Sequence, residues 1–166
     1  SLLINNAGVN NRQDFKDISW KDYNYIFDIN LRGTFFLTQK LLIHKIFKNN
    51  FSRIINISSV AGQYHGPFTA HYAMSKAAII SFTKFLARYL ASENIYVNAI
   101  CPGIIMTDQT YEQFKSGAAK KIINSTQFLK RPGNVKDLNS AVNFLIDRDQ
   151  TYMTGQTLNI SGGAII

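Results

Sequence analysis

The residue pair with the clearest chemical potential is a tyrosine followed four positions later by a lysine. Tyr72 and Lys76 occur in the segment YAMSK, at the start of a predicted helix. Residues four apart on a helix share a face, so the phenol and the ammonium can approach each other. The pKa of a phenol is about 10 in water, and a neighbouring ammonium favours the phenolate. We therefore expect Lys76 to lower the pKa of Tyr72 and to fit it for acid–base catalysis.

Tyr-x-x-x-Lys alone is common by chance, so the pair needs support from a further residue. A serine hydroxyl provides it. Ser59 ends an apolar strand and stands 13 positions before Tyr72, beyond a loop that contains Gly62, Gly66 and Pro67. A hydroxyl at that place can hydrogen-bond a carbonyl oxygen that Tyr72 also contacts. Negative charge that develops on this oxygen would then meet two donors. The alternative is that the serine only caps the strand and the loop.

Secondary-structure elements must position these residues. Along the chain, short apolar segments alternate with longer helical stretches. We predict strands at 2–4, 53–58, 95–100 and 157–160, and helices at 20–43, 72–92 and 134–146. Ser19 and Asn134 are the expected N-caps, and the first helix is expected to break near Gly33. Strands separated by helices of this length form parallel β-α-β units. The pattern predicts one α/β domain over residues 1–166.

Polar residues and glycines gather where the predicted strands end, at 5–8, 58–59, 102–103 and 161–163. Parallel sheets bind ligands outside the carboxyl ends of their strands. The sequence therefore predicts a ligand cleft at this edge of the sheet.

Six motifs in this order resemble the classical short-chain dehydrogenases/reductases. They are Asn5-Asn6-Ala7-Gly8, Asn30 in the segment DINL, the set Ser59, Tyr72 and Lys76, the segment PGIIMT from Pro102 to Thr107, the segment YMTGQ, and Ser161-Gly162-Gly163. Within this family, the stretches 51–62 and 87–107 are most similar to 3-oxoacyl-[acyl-carrier-protein] reductases. Sugar, polyol and steroid dehydrogenases share the same motifs.

The resemblance implies an NAD(P)-dependent oxidoreductase that interconverts a carbonyl and a secondary alcohol. Tyr72 would give or take the proton, Lys76 would also hold ribose hydroxyls, and Ser59 would orient the carbonyl. Asn30 would support a water-linked proton path to the lysine. The cofactor would be NADP or NAD, with these residues along it: Asn6, Ala7, Gly8, Tyr72, Lys76, Pro102, Gly103, Ile105 and Thr107.

The resemblance also implies a segment of roughly 75 to 85 residues before the first one here, with three strands and the glycine-rich phosphate turn. The fold would then be the C-terminal part of a Rossmann-like doubly wound parallel sheet, with about four strands and flanking helices. The strand at 2–4 would become a bare apolar edge. We expect a fragment of a longer enzyme. The alternative is a catalytically silent, truncated family member that acts only through subunit association.

Composition excludes several other classes of protein. Eighteen basic against ten acidic residues give a net charge of +8, but the charges are scattered, so we expect no nucleic-acid partner. No apolar run approaches the length of a membrane span, and the single cysteine suits a reducing, cytoplasmic compartment. Cys101 is interpreted as a small buried hydrophobe. The histidines lack metal-ligand spacing, so no metal is expected, and His71 is interpreted as a wall of the cleft.

The expected partners follow from the resemblance. The substrate would be a small carbonyl compound or alcohol, and the basic surface would suit delivery by an acidic carrier protein. Helices near 30–47 and 72–92 would pair across subunits to form a homodimer or homotetramer. Residues 108–129 would form a lid over the substrate, and residues 63–69 the opposite wall.

Overall fold

The computed structural model describes residues 1–47, 51–64 and 69–165. Within them, four parallel strands form one sheet in the order β1-β2-β3-β4, with β1 at Leu2–Asn5, β2 at Ser52–Ile57, β3 at Ile95–Pro102 and β4 at Thr157–Ile160. In the register, Ile4 pairs with Ile55 and Ile100 pairs with Leu158. The predicted parallel α/β sheet is confirmed, although β3 continues two residues further than expected.

Helices cover both faces of this sheet, as a doubly wound fold requires. Their bounds are α1 at Trp20–Phe27, α2 at Thr34–Ile43, α3 at Ala70–Tyr89, α4 at Tyr111–Lys115, α5 at Ala118–Thr126 and α6 at Val135–Ile146. Neighbouring side chains on a strand point to opposite faces. Ile54 accordingly packs in the cluster that contains Leu86 of α3, whereas Ile55 packs with Leu145 of α6.

Two helix starts predicted from the sequence are confirmed as capping boxes. The Ser19 hydroxyl accepts a hydrogen bond from the backbone N–H of Asp22, and the Asp22 carboxylate accepts one from the backbone N–H of Ser19. Asn134 and Asp137 form the same reciprocal pair before α6. Each box satisfies backbone donors that the first turn of a helix leaves free.

The expected break near Gly33 is wrong. Residues Asp28–Gly33 form a π-helical segment that joins α1 to α2 without interruption. A π-helical turn holds one residue more than an α-helical turn, and such turns often occur at functional sites. Here Asn30 within the segment is 1% exposed and faces inward.

The β1 strand forms one edge of the described sheet. Its Leu2 is 49% and its Ile4 39% exposed, so the predicted apolar edge is confirmed for these residues. Among residues 1–47, 51–64 and 69–165, no helix is both long and apolar enough to cross a membrane. The same residues contain no group of three acidic, histidine or cysteine side chains able to hold a metal ion.

Candidate active site

A cavity of about 660 Å³ lies at the carboxyl ends of β1, β2 and β3. The predicted site residues that line it are Asn6, Ala7, Gly8, Ser59, Tyr72, Lys76, Pro102, Gly103, Ile105 and Thr107. Asn30 is buried and belongs to the layer behind the cavity wall. The chain therefore brings together residues that are up to a hundred positions apart in sequence.

Tyr72 and Ser59 meet because the first turn of α3 lies beside the end of β2. Ser59 caps a short 3-10 turn at Val60–Gly62, where its hydroxyl accepts from the N–H of Ala61 at 3.1 Å. The Ser59 side chain also interacts with the Tyr72 phenol and favours its ionised form. Burial nevertheless raises the pKa of Tyr72, because the phenolate loses its hydration, and the interaction with Ser59 opposes this only in part. The phenol is neutral at pH 7 and holds a proton that it can donate.

Lys76 is a buried cation, 4% exposed, at the back of the same cavity. Its Nζ donates to the carbonyl of Ile57 at 2.9 Å and lies 5.8 Å from the centroid of the Tyr72 ring. Burial lowers the pKa of Lys76 to about 8, since the ammonium is poorly hydrated. The amine is still mostly charged at pH 7.

The expected lowering of the Tyr72 pKa is wrong for this structure, because burial raises that pKa overall. Loss of hydration acts on both groups and favours the neutral form of each. The ammonium is directed to the backbone carbonyl of Ile57 at the end of β2. The proximity of the two residues is confirmed, but the direction of the pKa shift depends on burial that spacing does not reveal.

Backbone contacts lock α3 against the end of β2, and sequence reasoning missed them. The Ser58 hydroxyl donates to the backbone carbonyl of Lys76 at 2.7 Å. A Cβ on Gly62 would lie 2.8 Å from the Lys76 carbonyl carbon and from the Ala77 nitrogen, both backbone atoms. Only glycine permits this approach. The glycine three residues after Ser59 was the available sequence signal.

Asn30 holds the loop that follows β1. Its Oδ1 accepts from the N–H of Val9 at 2.8 Å, and its Nδ2 donates to the Val9 carbonyl at 2.9 Å and to Ser75 Oγ at 3.0 Å. This places Gly8 so that a Cβ there would lie 3.0 Å from Lys76 Nζ. The π-helical segment thus positions the loop next to the lysine. The water-linked proton path through Asn30 stays a prediction.

A buried polar network fixes the end of β1 beside β2. Asn5 Nδ2 donates to Asn56 Oδ1 at 2.8 Å and to Thr38 Oγ1 at 3.1 Å. Asn56 Nδ2 in turn donates to Thr83 Oγ1 at 2.9 Å. Buried amides without partners would be costly, so these bonds tie α2, both strands and α3 together. These hydrogen bonds fix the position at which the loop of residues 6–9 leaves the sheet.

The segment after β3 forms the remaining wall, and it is anchored at both ends. A Cβ on Gly103 would lie 2.9 Å from Ser161 Cα, which explains why glycine follows Pro102. Beyond it, Ile105 pairs with Gly133 in an isolated parallel bridge. The segment between these two residues contains α4 and α5, and the bridge holds its two ends together. It includes the predicted lid over 108–129, whose closure over a substrate stays a prediction.

The predicted wall at 63–69 is described only in part, because residues 65–68 lie outside the described residues. Gln63 and Asn159 of β4 form a reciprocal amide pair, with Nε2 to Oδ1 at 2.8 Å and Nδ2 to Oε1 at 3.3 Å. This pair connects the turn after Ser59 to β4. No sequence signal indicated it, because the two residues are 96 positions apart.

Two secondary expectations have opposite outcomes. His71 is not a cleft wall: it is 1% exposed, lies near Asp22 of α1, and burial lowers its pKa. The reason is helical phase, since adjacent residues on a helix point about 100° apart. The interpretation of Cys101 as a small buried residue is confirmed by its exposure of 0%.

Comparison with known proteins supports the same family. Residues 1–164 match a family model described as enoyl-(acyl carrier protein) reductase. The chain is 36% identical to 3-oxoacyl-[acyl-carrier-protein] reductase FabG of Rickettsia bellii, over 99% of this chain and 67% of that protein. It is 38% identical to the FabG of Haemophilus influenzae, over 98% of this chain and 66% of that protein. The chain thus spans about two thirds of the length of these relatives.

Solved structures show the same likeness. A 4-hydroxyisoleucine dehydrogenase mutant complexed with NADH and succinate has a TM-score of 0.91 and 33% identity, covering 98% of this chain and 67% of that one. ElxO with NADP bound has a TM-score of 0.89 and 32% identity, covering 98% and 66%. Matches of this extent to the sequence, the fold and the family model agree with the motifs at the cavity. The chain belongs to the short-chain dehydrogenase/reductase family.

Proposed function

We propose that this chain carries the catalytic part of an NAD(P)-dependent oxidoreductase that interconverts a carbonyl and a secondary alcohol. The observation that carries the proposal is the partly buried Tyr72 beside Ser59 at the wall of an open cavity, with a phenol whose pKa is raised by burial. A neutral phenol is a proton donor, and a second hydroxyl beside it gives a carbonyl oxygen two hydrogen-bond partners. Membership of an oxidoreductase family supports the same reaction class.

The residues present fit the nicotinamide end of a dinucleotide. Gly8 leaves open the space in front of Lys76 Nζ that a Cβ would fill, and Thr107 lines the opposite side of the cavity. Lys76 would donate to the ribose hydroxyls, and Ile105 and Thr107 would hold the carboxamide. When bound, the cofactor supplies or accepts the hydride. The solved relatives contain NADH or NADP, and either is compatible with the residues described.

Each side chain has a separate task in the proposed reaction. In reduction, Tyr72 donates its proton to the substrate oxygen while Ser59 holds that oxygen in place. The charged Lys76 stabilises the phenolate that results, because the opposite charge is then nearby in a poorly hydrated site. Asn30 keeps the loop at Gly8 in position through its bonds to Val9. In oxidation the proton moves in the opposite direction.

For the substrate we propose a 3-oxoacyl thioester delivered by an acidic carrier protein. The FabG relatives of Rickettsia bellii and Haemophilus influenzae are named as reductases of this substrate class. The lid and the residues just after it also expose the basic side chains of Lys115, Lys120, Lys121, Lys130 and Arg131. Opposite charge on a carrier would speed its encounter with this edge of the cavity. Turnover of the carrier-bound thioester should therefore fall with added salt more steeply than turnover of a small acetoacetyl thioester.

For the assembly we propose a homodimer or homotetramer paired through α2 and α3. Phe36, Phe85 and Tyr89 are each more than half exposed on these helices, and Phe85 stacks on Tyr89. Exposed aromatic clusters of this kind commonly mark interfaces. Sedimentation should show a dimer or larger for the chain and a monomer for Phe85→Lys, whereas a monomeric parent chain would contradict the assembly.

The reaction can be tested with the purified chain, an acetoacetyl thioester, and NADPH or NADH. We expect loss of the reduced nicotinamide absorbance that depends on substrate. Tyr72→Phe should reduce turnover by roughly 10²- to 10⁴-fold, the usual contribution of a positioned acid. Its affinity for reduced nicotinamide mononucleotide should stay within about twofold, since one hydroxyl is lost from the substrate side only.

Tyr25→Phe is the matched control, because Tyr25 is an exposed tyrosine on α1. It should retain full turnover. Unchanged turnover in Tyr72→Phe would contradict the proton role of Tyr72. Absence of turnover in the parent chain would contradict the proposed function and favour the catalytically silent alternative.

A further inference from the structure

We propose that Thr110 is a positioning residue that sets the hydrogen-bond polarity of Thr107. Held by Thr110, the Thr107 hydroxyl would present an acceptor to the cavity and select a ligand with an amide N–H at that point. The inference rests on the proposed function, because it concerns the residues that would hold the nicotinamide carboxamide. Thr110 lies at the end of a 3-10 turn at Asp108–Thr110, outside the set of residues that the sequence motifs indicated.

The Thr110 hydroxyl is the centre of the local hydrogen bonds. Its Oγ1 lies 2.7 Å from the Ile105 carbonyl oxygen and 2.9 Å from the Thr107 backbone nitrogen. The Thr107 hydroxyl lies 3.3 Å away, and the Thr107 carbonyl 3.1 Å away. One side chain therefore joins the two residues, Ile105 and Thr107, that face the cavity.

Counting protons assigns the direction of these bonds. A threonine hydroxyl has one proton to donate, and a backbone carbonyl can only accept. The shortest contact, to the Ile105 carbonyl, takes the Thr110 proton. Thr110 then accepts from the Thr107 N–H, and in any bond between the two hydroxyls, 3.3 Å apart, Thr107 is the donor. In that bonded arrangement the Thr107 proton points to Thr110, and a lone pair of the Thr107 oxygen remains for a ligand.

This polarity distinguishes two otherwise similar ligand groups. A carboxamide carries an N–H₂ that can donate to Thr107, whereas an acetyl group of the same shape carries only an acceptor oxygen and a methyl group. The chain should prefer the carboxamide by the value of one hydrogen bond, about 0.5–1.5 kcal/mol, or roughly 2- to 13-fold in affinity. Without the Thr110 hydroxyl, Thr107 can rotate and donate to the acetyl oxygen instead.

The test compares the binding of reduced nicotinamide mononucleotide and its 3-acetylpyridine counterpart by titration calorimetry. We expect the parent chain to prefer the carboxamide compound by the factor given above. Thr110→Val keeps the shape and removes the hydroxyl, so its preference should fall within about twofold. Thr110→Ser restores a hydroxyl and should restore the preference. Thr126→Val is the matched control, since the Thr126 hydroxyl bonds only within α5, to the Ile122 carbonyl at 2.8 Å.

The outcomes separate this inference from the function on which it rests. An unchanged preference in Thr110→Val, or equal binding of both compounds by the parent chain, overturns the role of Thr110 and leaves the proposed function intact. Binding of neither compound by the parent chain contradicts the proposed function and the inference with it. Should Thr110→Val fail to fold, the smaller Thr110→Ala gives the same comparison.

Discussion

The two ends of strand β2 each have a buried cation, and the two cations are held in different ways. Arg53 lies near the amino end of β2 and is 2% exposed, whereas Lys76 of α3 contacts the last residue of β2 and is 4% exposed. Neither forms one of the ion pairs found among the described residues. Burial lowers the pKa of both. The difference lies in what surrounds each charge.

At the amino end, the guanidinium of Arg53 has several partners. Its Cζ lies 3.8 Å from the centroid of the Phe51 ring and 4.1 Å from that of Tyr96. One terminal nitrogen donates to the Gln150 carbonyl at 2.6 Å, just beyond the end of α6. Aromatic faces and carbonyls near a helix C-terminus all favour positive charge. We therefore expect these contacts to make Arg53 stabilise the fold, although its Nε has no hydrogen-bond partner among the described residues.

At the carboxyl end, the Lys76 ammonium donates one hydrogen bond within the described part of the chain, to the Ile57 carbonyl, and it faces a cavity. Space in front of the ammonium is kept open by Gly8. The charge is costly to keep there, which the lowered pKa reflects. A buried charge with few partners in the protein, next to open space, is typical of a site that binds a ligand. Equal burial therefore accompanies several protein partners at the amino end of β2 and an open cavity at the carboxyl end, where we propose a binding role for Lys76.

The largest effect is expected from Lys76→Met, which removes the charge and keeps the length of the side chain. Turnover should fall by roughly 10²-fold or more, since Tyr72 loses its neighbouring charge. The free energy of unfolding should not fall. A pKa lowered from 10.5 to about 8 corresponds to about 3 kcal/mol of cost at neutral pH, which the variant recovers. Urea unfolding measures the free energy of unfolding, and Lys84→Met, at an exposed position of the same helix, is the control. Clear destabilisation of Lys76→Met would contradict the proposed difference between Lys76 and Arg53.

Arg53→Met should lower the stability of the fold and leave ligand binding intact, the opposite of Lys76→Met. We expect a loss of about 2–4 kcal/mol in the free energy of unfolding, because two cation–π contacts disappear and the Gln150 carbonyl loses its donor. Binding of reduced nicotinamide mononucleotide should persist, since the cavity lies at the other end of the strand. Arg88→Met on the exposed face of α3 is the control. A variant as stable as the parent would show that Arg53 is tolerated rather than stabilising.

A smaller effect is expected from pH. The Lys76 ammonium is present below a pKa of about 8 and is lost as the pH rises through it. Affinity for reduced nicotinamide mononucleotide should therefore weaken with rising pH, by up to about tenfold between pH 7 and pH 9. The same titration of Lys76→Met should be flat. An equal slope in both proteins would assign the pH dependence to another group.

The smallest effect is expected from Gly8→Ala. The added methyl would lie 3.0 Å from Lys76 Nζ and 3.4 Å from Asn30 Oδ1, so the flexible amine must move slightly. We expect mononucleotide affinity to weaken by about three- to fivefold, as in mild overpacking. Gly33→Ala is the control, because its methyl would meet only the Asp28 carbonyl, at 3.4 Å. Equal affinity in both variants would show that the space at Gly8 is not used.

The sequence predicts most of the fold and the membership of the site because both depend on local patterns. Apolar alternation locates the strands, and the capping residues Ser19 and Asn134 locate two helix starts. The motif residues gather because carboxyl ends of parallel strands meet at one edge. Ten of the eleven predicted site residues line the cavity, and Asn30 lies behind it.

The properties that sequence reasoning missed depend on contacts between distant segments. The raised pKa of Tyr72 follows from burial that no spacing records. The Gln63–Asn159 pair joins residues from opposite halves of the chain. The motif at 102–107 does not predict the role of Thr110, because Thr110 lies in the turn that follows the motif and contacts it only through hydrogen bonds. The surroundings of Arg53 likewise arise only when β2, β3 and the end of α6 meet.

In the proposed reaction, Tyr72 keeps its proton at neutral pH in a poorly hydrated site beside the charged amine of Lys76. Carbon NMR of the chain with labelled tyrosine ring carbons measures this directly, with the Tyr72 signal assigned from Tyr72→Phe. We predict a neutral phenol at pH 7 whose pKa lies above the ordinary value for tyrosine, because burial opposes the phenolate. A Tyr72 signal already that of a phenolate at pH 7 would contradict the claim.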